Sequence, residues 1–245
     1  MVLAGKTAVV TNASGNIALA VVRALLEDGA QVALVDADAL RLDSLVRFLR
    51  GSTLAVVAES FDAGAVRHAQ QHVEKSLGPI DILVNTSDEP APARIEAIDP
   101  EAWRFTMARN LDAAYNWSRA ALPSMKQRNW GRIVNMVSLA AKGAADGGAA
   151  DAASQSGLVA LTFALAREAA ANGVAVNAIA VAYVDNSPSM EALNDAQRRQ
   201  LLAQIPLARF CKPEELAHAA RFLVSPLAGF ITGEVLDVNG GVVMD

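Results

Sequence analysis

One stretch holds polar residues whose types bear on chemistry: Ser138, Asp151 and Gln155. Ser138 ends the apolar run that begins at Gly131, and a small-residue stretch leads from it to Asp151, Gln155 and Gly157. Asp151 and Gln155 are four residues apart in a run that reads as a helix, so their side chains share one face. Asp151 is ionised above about pH 4 and has no proton to give at neutral pH. It could act as a base only if burial raised its pKa. Gln155 is neutral and cannot tune a neighbour.

A second constellation is the turn Thr11-Asn-Ala-Ser-Gly15-Asn16-Ile17-Ala18, between an apolar run and a helical one. Loops in this place bind dinucleotides when glycines let backbone N–H groups approach a pyrophosphate at the helix N-terminus. Only Gly15 is a glycine here. Asn tolerates positive φ, so the turn can form, but the side chains of Asn12 and Asn16 take space that phosphates need. The turn therefore reads equally as a strand-to-helix connection without a nucleotide. Asp36, at the end of the next apolar run, is the kind of acid that bonds a ribose and repels a 2′-phosphate. It favours NAD over NADP if a nucleotide binds at all, and otherwise reads as a solvated loop acid.

Other candidates carry less. Tyr115 and Tyr183 are the only tyrosines, and Tyr115 precedes Arg119 by four, with interface packing as its plainer role. Lys142 follows Ser138 by four, but on a loop, where it reads as solvated. His68 and His72 form an i, i+4 pair that could bind a metal; no third ligand is in view, so they and His218 read as helix-surface residues and no metal site is expected.

These residues need elements to hold them. Short apolar runs at Lys6–Thr11, Gln31–Val35, Leu54–Ala58, Asp81–Asn85, Gly131–Ser138, Val174–Ala180 and Glu234–Val238 read as buried strands. Helical runs lie between them at Ile17–Asp28, Leu40–Arg50, Val66–Leu77, Pro100–Leu122, Ala150–Asn172 and Pro213–Leu223. This alternation predicts an α/β fold: a single domain with a doubly wound parallel sheet of about seven strands and helices on both faces. Residues 183–210 read as a lid-like excursion within it.

Hydrophobic residues make up 53% of the 245, enough for a large core. A net charge of −5 without a basic run argues against nucleic acid. Cys211 is the only cysteine, so no internal disulfide is possible. No leader and no run long enough to span a bilayer is apparent, and the expectation is a soluble, cytoplasmic protein without a membrane partner.

The order of segments resembles the classical short-chain dehydrogenases/reductases along essentially the whole chain, with their Rossmann-type fold. The resemblance rests on Lys6–Thr11, Asp81–Asn85, Asn110-Leu111, Gly131–Asn135 with Ser138, Val176-Asn-Ala178 and Ile231–Gly241. It places Asn110 and Ser138 at catalytic positions and Thr11, Asn12, Gly15, Asn16, Ile17, Asp36, Glu59 and Asn85 at cofactor-facing ones. The departures fall on the same positions. The glycine turn has Asn12, Asn16 and Ala18; the N-A-G segment is Thr86-Ser87-Asp88; the P-G segment is Val181-Ala182; and the Y-x-x-x-K pair is Asp151 and Gln155. In the family that tyrosine exchanges a proton with the substrate oxygen while hydride moves to or from nicotinamide, and the lysine lowers its pKa. Losing one positioned acid/base costs about 10²–10⁴-fold.

The resemblance thus implies a chain that folds and assembles but does not turn over alone. Helices Trp103–Leu122 and Ala150–Asn172, which in this family form subunit interfaces, read as intact. The expected role is a non-catalytic (pseudoenzyme) subunit that binds no cofactor itself. Its expected partner is an active subunit of the same family that carries NAD, in a heterotetramer. The pattern is similar to that of silent subunits in heterotetrameric dehydrogenases that oxidise a 3-hydroxyacyl-CoA in anaerobic aromatic degradation. The alternatives are an active homomeric NAD-dependent oxidoreductase with relocated acid/base residues, and a small-molecule sensor or binding module.

Overall fold

Short β-branched runs that are apolar along their whole length can be satisfied only between two layers of helix. The computed structural model, which describes residues 1–86, 93–143 and 148–244, builds such layers. The strands are β1 (Thr7–Val10), β2 (Gln31–Asp36), β3 (Thr53–Val57), β4 (Ile80–Asn85), β5 (Gly131–Ser138), β6 (Val174–Val181) and β7 (Val235–Val238). They form one sheet in the order β3-β2-β1-β4-β5-β6-β7, and every neighbouring pair is parallel. The order reverses between β1 and β4. Open sheets of this kind offer a crevice at the carboxyl ends of the strands at that reversal.

On one face α1 (Asn16–Glu27) and α9 (Pro213–Val224) bury Val21, Leu25, Leu216 and Leu223 against the sheet, with Leu42 of α2 (Ala39–Phe48) beside them. On the other, α3 (Ala63–Leu77), α5 (Ala113–Gln127) and α6 (Ala149–Ala169) bury Val66, Val73, Trp117, Leu122 and Ala166. Asp38, Asp62 and Asp99 cap α2, α3 and α4 (Pro100–Met107) by accepting from first-turn amides. Residues 183–210 contain α7 (Pro188–Glu191) and α8 (Asp195–Leu202). They pack through Met190, Ile205 and Phe210 against Tyr183, Leu201 and Val242. Among the described residues no helix is long and apolar enough to cross a membrane.

Two expectations need correction. The run Pro100–Leu122 is not one regular helix: a wide turn, Ala108–Asp112, separates α4 from α5, which continues through Pro123 to Gln127. Such π-type turns re-aim a side chain inward, and here Asn110 is buried at 3% exposure. The turn meets α6 closely, because a Cβ on Gly157 would lie 2.9 Å from Leu111 Cδ2. Lys142 is not solvated. It ends the short 3-10 segment Leu139–Lys142, and its ammonium lies 2.7 Å from the Asp237 carboxylate.

Candidate functional site

The carboxyl end of β5 delivers Ser138, the wide turn delivers Asn110, and the first turns of α6 deliver Asp151 and Gln155. All four meet. Asp151 accepts from the Ser138 hydroxyl at 2.9 Å and from the Asn110 amide at 3.2 Å. Gln155, buried at 2%, accepts the Ser138 backbone N–H at 3.2 Å and also hydrogen-bonds Asp151. Asn110 donates as well to Ser154, whose hydroxyl donates to the Asp151 carbonyl. Burial pushes the Asp151 carboxyl up from the usual range, opposed by hydrogen bonds from Ser138, Gln155 and Asn110. Every polar head in the cluster addresses another member of it, and the Ser138 proton points at Asp151.

The first turn also spends polar groups on itself. Asn12 takes φ +48, the left-handed conformation that a glycine would otherwise supply. Asn16 Oδ1 accepts the Ile17 N–H at 2.8 Å, so a first-turn amide of α1 is met by a side chain of the same turn. Asn16 Nδ2 donates to the Asp185 carbonyl at 3.3 Å, and Arg198 pairs with the Asp185 carboxylate at 3.4 Å. The Asn16 carboxamide thus bridges the space between the β1–α1 turn and the segment after β6. A pyrophosphate needs bare helix-terminal amides and an open path there; here the Ile17 amide is already met and the Asn16 carboxamide lies across the path, so the turn as it stands fits the dinucleotide poorly.

Beyond Asn16 the cleft stays open. A small cavity of about 70 Å³ is lined by Asn12, Asp36, Glu59, Phe61, Thr86 and Arg109, among others. Asp36 is committed on its inner side, accepting from the Ser14 amide at 3.0 Å, the Ser14 hydroxyl at 2.6 Å and the Asp38 amide at 3.1 Å. Thr11 and Thr86 are tied by reciprocal bonds, one of 2.6 Å from the Thr86 hydroxyl to the Thr11 carbonyl. Asn85 lies deeper, donating to Asn135 at 2.8 Å.

A second cavity lies between residues 205–211 and the end of β7, lined by Tyr183, Ile205, Cys211 and Asp237. There burial pushes the Cys211 thiol up to about 11, so it is protonated at neutral pH. Tyr115 is 47% exposed on the outer face of α5, away from the cluster. His68, His72 and His218 are exposed, and among the described residues no group of three or more His, Cys, Asp or Glu converges. Ser87 and Asp88 lie outside the described residues. Sequence reasoning missed Ser14, Asp185, Ser154 and Arg109. Ser14 and Arg109 carried a signal, since one sits inside the turn and the other directly precedes Asn110; the Asp185 contact runs through a backbone carbonyl and left none.

Comparison with known proteins gives the chain its family. A family model described as Enoyl-(Acyl carrier protein) reductase matches residues 10–243. The chain is 34% identical to the 3-oxoacyl-[acyl-carrier-protein] reductase FabG of Vibrio cholerae, over the full length of both. It is 31% identical to the Escherichia coli protein of the same name, over 98% of each chain. It is 35% identical to the (2S)-[(R)-hydroxy(phenyl)methyl]succinyl-CoA dehydrogenase subunit BbsC of Thauera aromatica, over 97% of this chain and 94% of that one.

Proposed function

The chain belongs to the short-chain dehydrogenase/reductase family, and from that premise we propose that it is a non-catalytic subunit, assembling with an active relative into an NAD-dependent hydroxyacyl-CoA or alcohol dehydrogenase of the cytoplasm. The observation that carries the reading is the closed cluster around Asp151. The position that needs a proton donor holds a carboxylate, and the Ser138 hydroxyl donates to it instead of to a substrate oxygen. Gln155 adds no charge to shift a neighbour's pKa. In this reading NAD would be held by the partner, and Asn16 would keep it out of this chain. A relative at 35% identity is itself named as a subunit of a dehydrogenase for an aromatic succinyl-CoA, which supports the CoA-thioester class and hetero-assembly. Phe105, Tyr115 and Phe163 on one side, and Phe222, Leu227 and Phe230 on the other, are half to fully exposed. They supply apolar faces for two kinds of contact.

Native mass spectrometry of the complex purified from its source tests this. Two of these chains with two of a related chain, carrying about two nucleotides, is the expected mass. Four identical chains would overturn it. A second reading has its own support: the reductase relatives and the raised proton affinity of Asp151 suit an active homomer that uses Asp151 as base. That reading requires NAD-dependent turnover by the isolated chain, lost in Asp151→Ala.

A further inference from the structure

The segment after β6 is a loop with a root of its own. The Cys211 N–H donates to the Tyr183 carbonyl at 2.9 Å, and the Asp185 N–H donates to the Cys211 carbonyl at 2.8 Å, so the two ends of the loop lie side by side. Just inside that root stand two left-handed residues, Asn186 at φ +56 and Ala208 at φ +53. Asparagine visits this region readily. Alanine does so at a cost, and stays there only because the surrounding fold holds it. Between the two the loop packs largely on itself, through Met190, Leu193, Leu201 and Ile205. Its last part does not fill the space beneath it: a cavity of about 130 Å³ lies between residues 205–211 and the end of β7. A segment pinned at its ends, strained at one of them and underlain by a void belongs to the part of a fold that opens first.

Arg198 opposes that opening. Its guanidinium donates to the Met190 carbonyl at 3.0 Å and to the Asp185 carboxylate at 3.4 Å, and lies 5.0 Å from the Phe210 ring centroid. One side chain of α8 thus ties together α7, the entry of the loop and its exit. The planar fork of arginine makes these contacts at once, which a lysine ammonium cannot copy. The contacts also reach the β1–α1 turn, because the Asp185 carbonyl is the acceptor of the Asn16 carboxamide at 3.3 Å. Arg198 and Asp185 are 34% and 41% exposed, so water and salt weaken the pair and the tie can be broken.

We propose that Arg198 is a clasp that holds this loop shut in the free chain and keeps Asp185 where Asn16 meets it; the inference rests on the reading that Asn16 closes the pyrophosphate path. Releasing the guanidinium lets the loop turn on Asn186 and Ala208, and the Asn16 bridge goes with it. The closure is then supplied by the chain itself rather than by a ligand.

Hydrogen exchange of the full chain, read by mass spectrometry over residues 187–207, tests this. Arg198→Ala should speed exchange there by about tenfold. Asp185→Asn keeps the carbonyl that Asn16 uses and removes only the ion pair, so about threefold is expected. Exchange in β5 and β6 should not change in either variant, which shows that the fold is kept. Arg198→Ala should also bind NAD about threefold more tightly by calorimetry. Unchanged loop exchange in both variants, or a rise shared equally by β5 and β6, overturns the proposal. Faster loop exchange with unchanged NAD affinity overturns it too, since the loop would then open without uncovering the path. Micromolar NAD binding by the native chain overturns instead the closed-path reading beneath it, and the exchange data alone then decide the clasp.

Discussion

The cluster around Asp151 and the slot beside Glu59 lie in one cleft, are both rich in polar side chains, and have opposite character. In the cluster, Ser138, Asn110 and Gln155 all spend their hydrogen bonds on Asp151 or on one another. In the slot, Asn116 and Trp117 hydrogen-bond the loop that carries Glu59 and Phe61 from behind the cavity wall. The comparison teaches that polar residues at family positions are not by themselves a site. What counts is whether their donors and acceptors are already answered inside the fold.

The contrast can be broken most directly at its centre. Asp151→Ala orphans three donors in a buried place and should cost about 3 kcal/mol of stability in urea denaturation. Glu59→Ala, at the exposed slot, should stay within about 0.5 kcal/mol. Equal costs at the two positions would erase the distinction. Next, Asp151→Tyr combined with Gln155→Lys should yield no NADH from an alcohol or hydroxyacyl-CoA, since the β1–α1 turn still carries Asn16. Adding Asn16→Gly should tighten NAD by about tenfold, equivalent to about 1.4 kcal/mol, read by calorimetry. NADH production by the double variant alone would show that the turn is competent as it stands.

A smaller effect sharpens the slot. Trp117→Phe keeps the buried ring but removes the bond to Ser60, and should cost about 1 kcal/mol in urea denaturation. An unchanged stability would show that the loop is held by packing alone. The smallest effect is one of pH. Folding raises the Asp151 carboxyl, so the folded state holds its proton more tightly than the unfolded one. Its contribution to stability is therefore present below the unfolded value near pH 4 and lost as pH rises through the higher folded value. Between pH 7 and pH 4 the native chain should gain stability relative to Asp151→Asn, which has nothing to titrate there. A pH-independent difference between the two would mean that the donors around Asp151 cancel its burial.

Much of this was legible in the residues. The strand and helix alternation placed every strand within a residue or two, because parallel strands buried on both faces read as unbroken apolar runs. The mismatch at Asp151 and Gln155 was visible from helical spacing alone. Lys142 was not read correctly, because its partner Asp237 is 95 residues away on the last strand. Arg109 and Ser14 went unnoticed for a related reason: their importance comes from a cavity wall and from a carboxylate on another strand.

By itself the sequence determined the layered α/β fold, the carboxyl-end crevice, the loss of a proton donor at position 151, and a first turn that uses asparagine where glycine would leave amides bare. Those follow from periodicity, from side-chain chemistry and from backbone preference, which are local. Only the tertiary structure decided that the orphaned catalytic positions close on one another, that Asn16 bridges to Asp185, and that the far slot stays open. Those depend on which donors meet which acceptors across elements 41 or 169 residues apart, and chain-distant pairings are set by packing rather than by any local pattern.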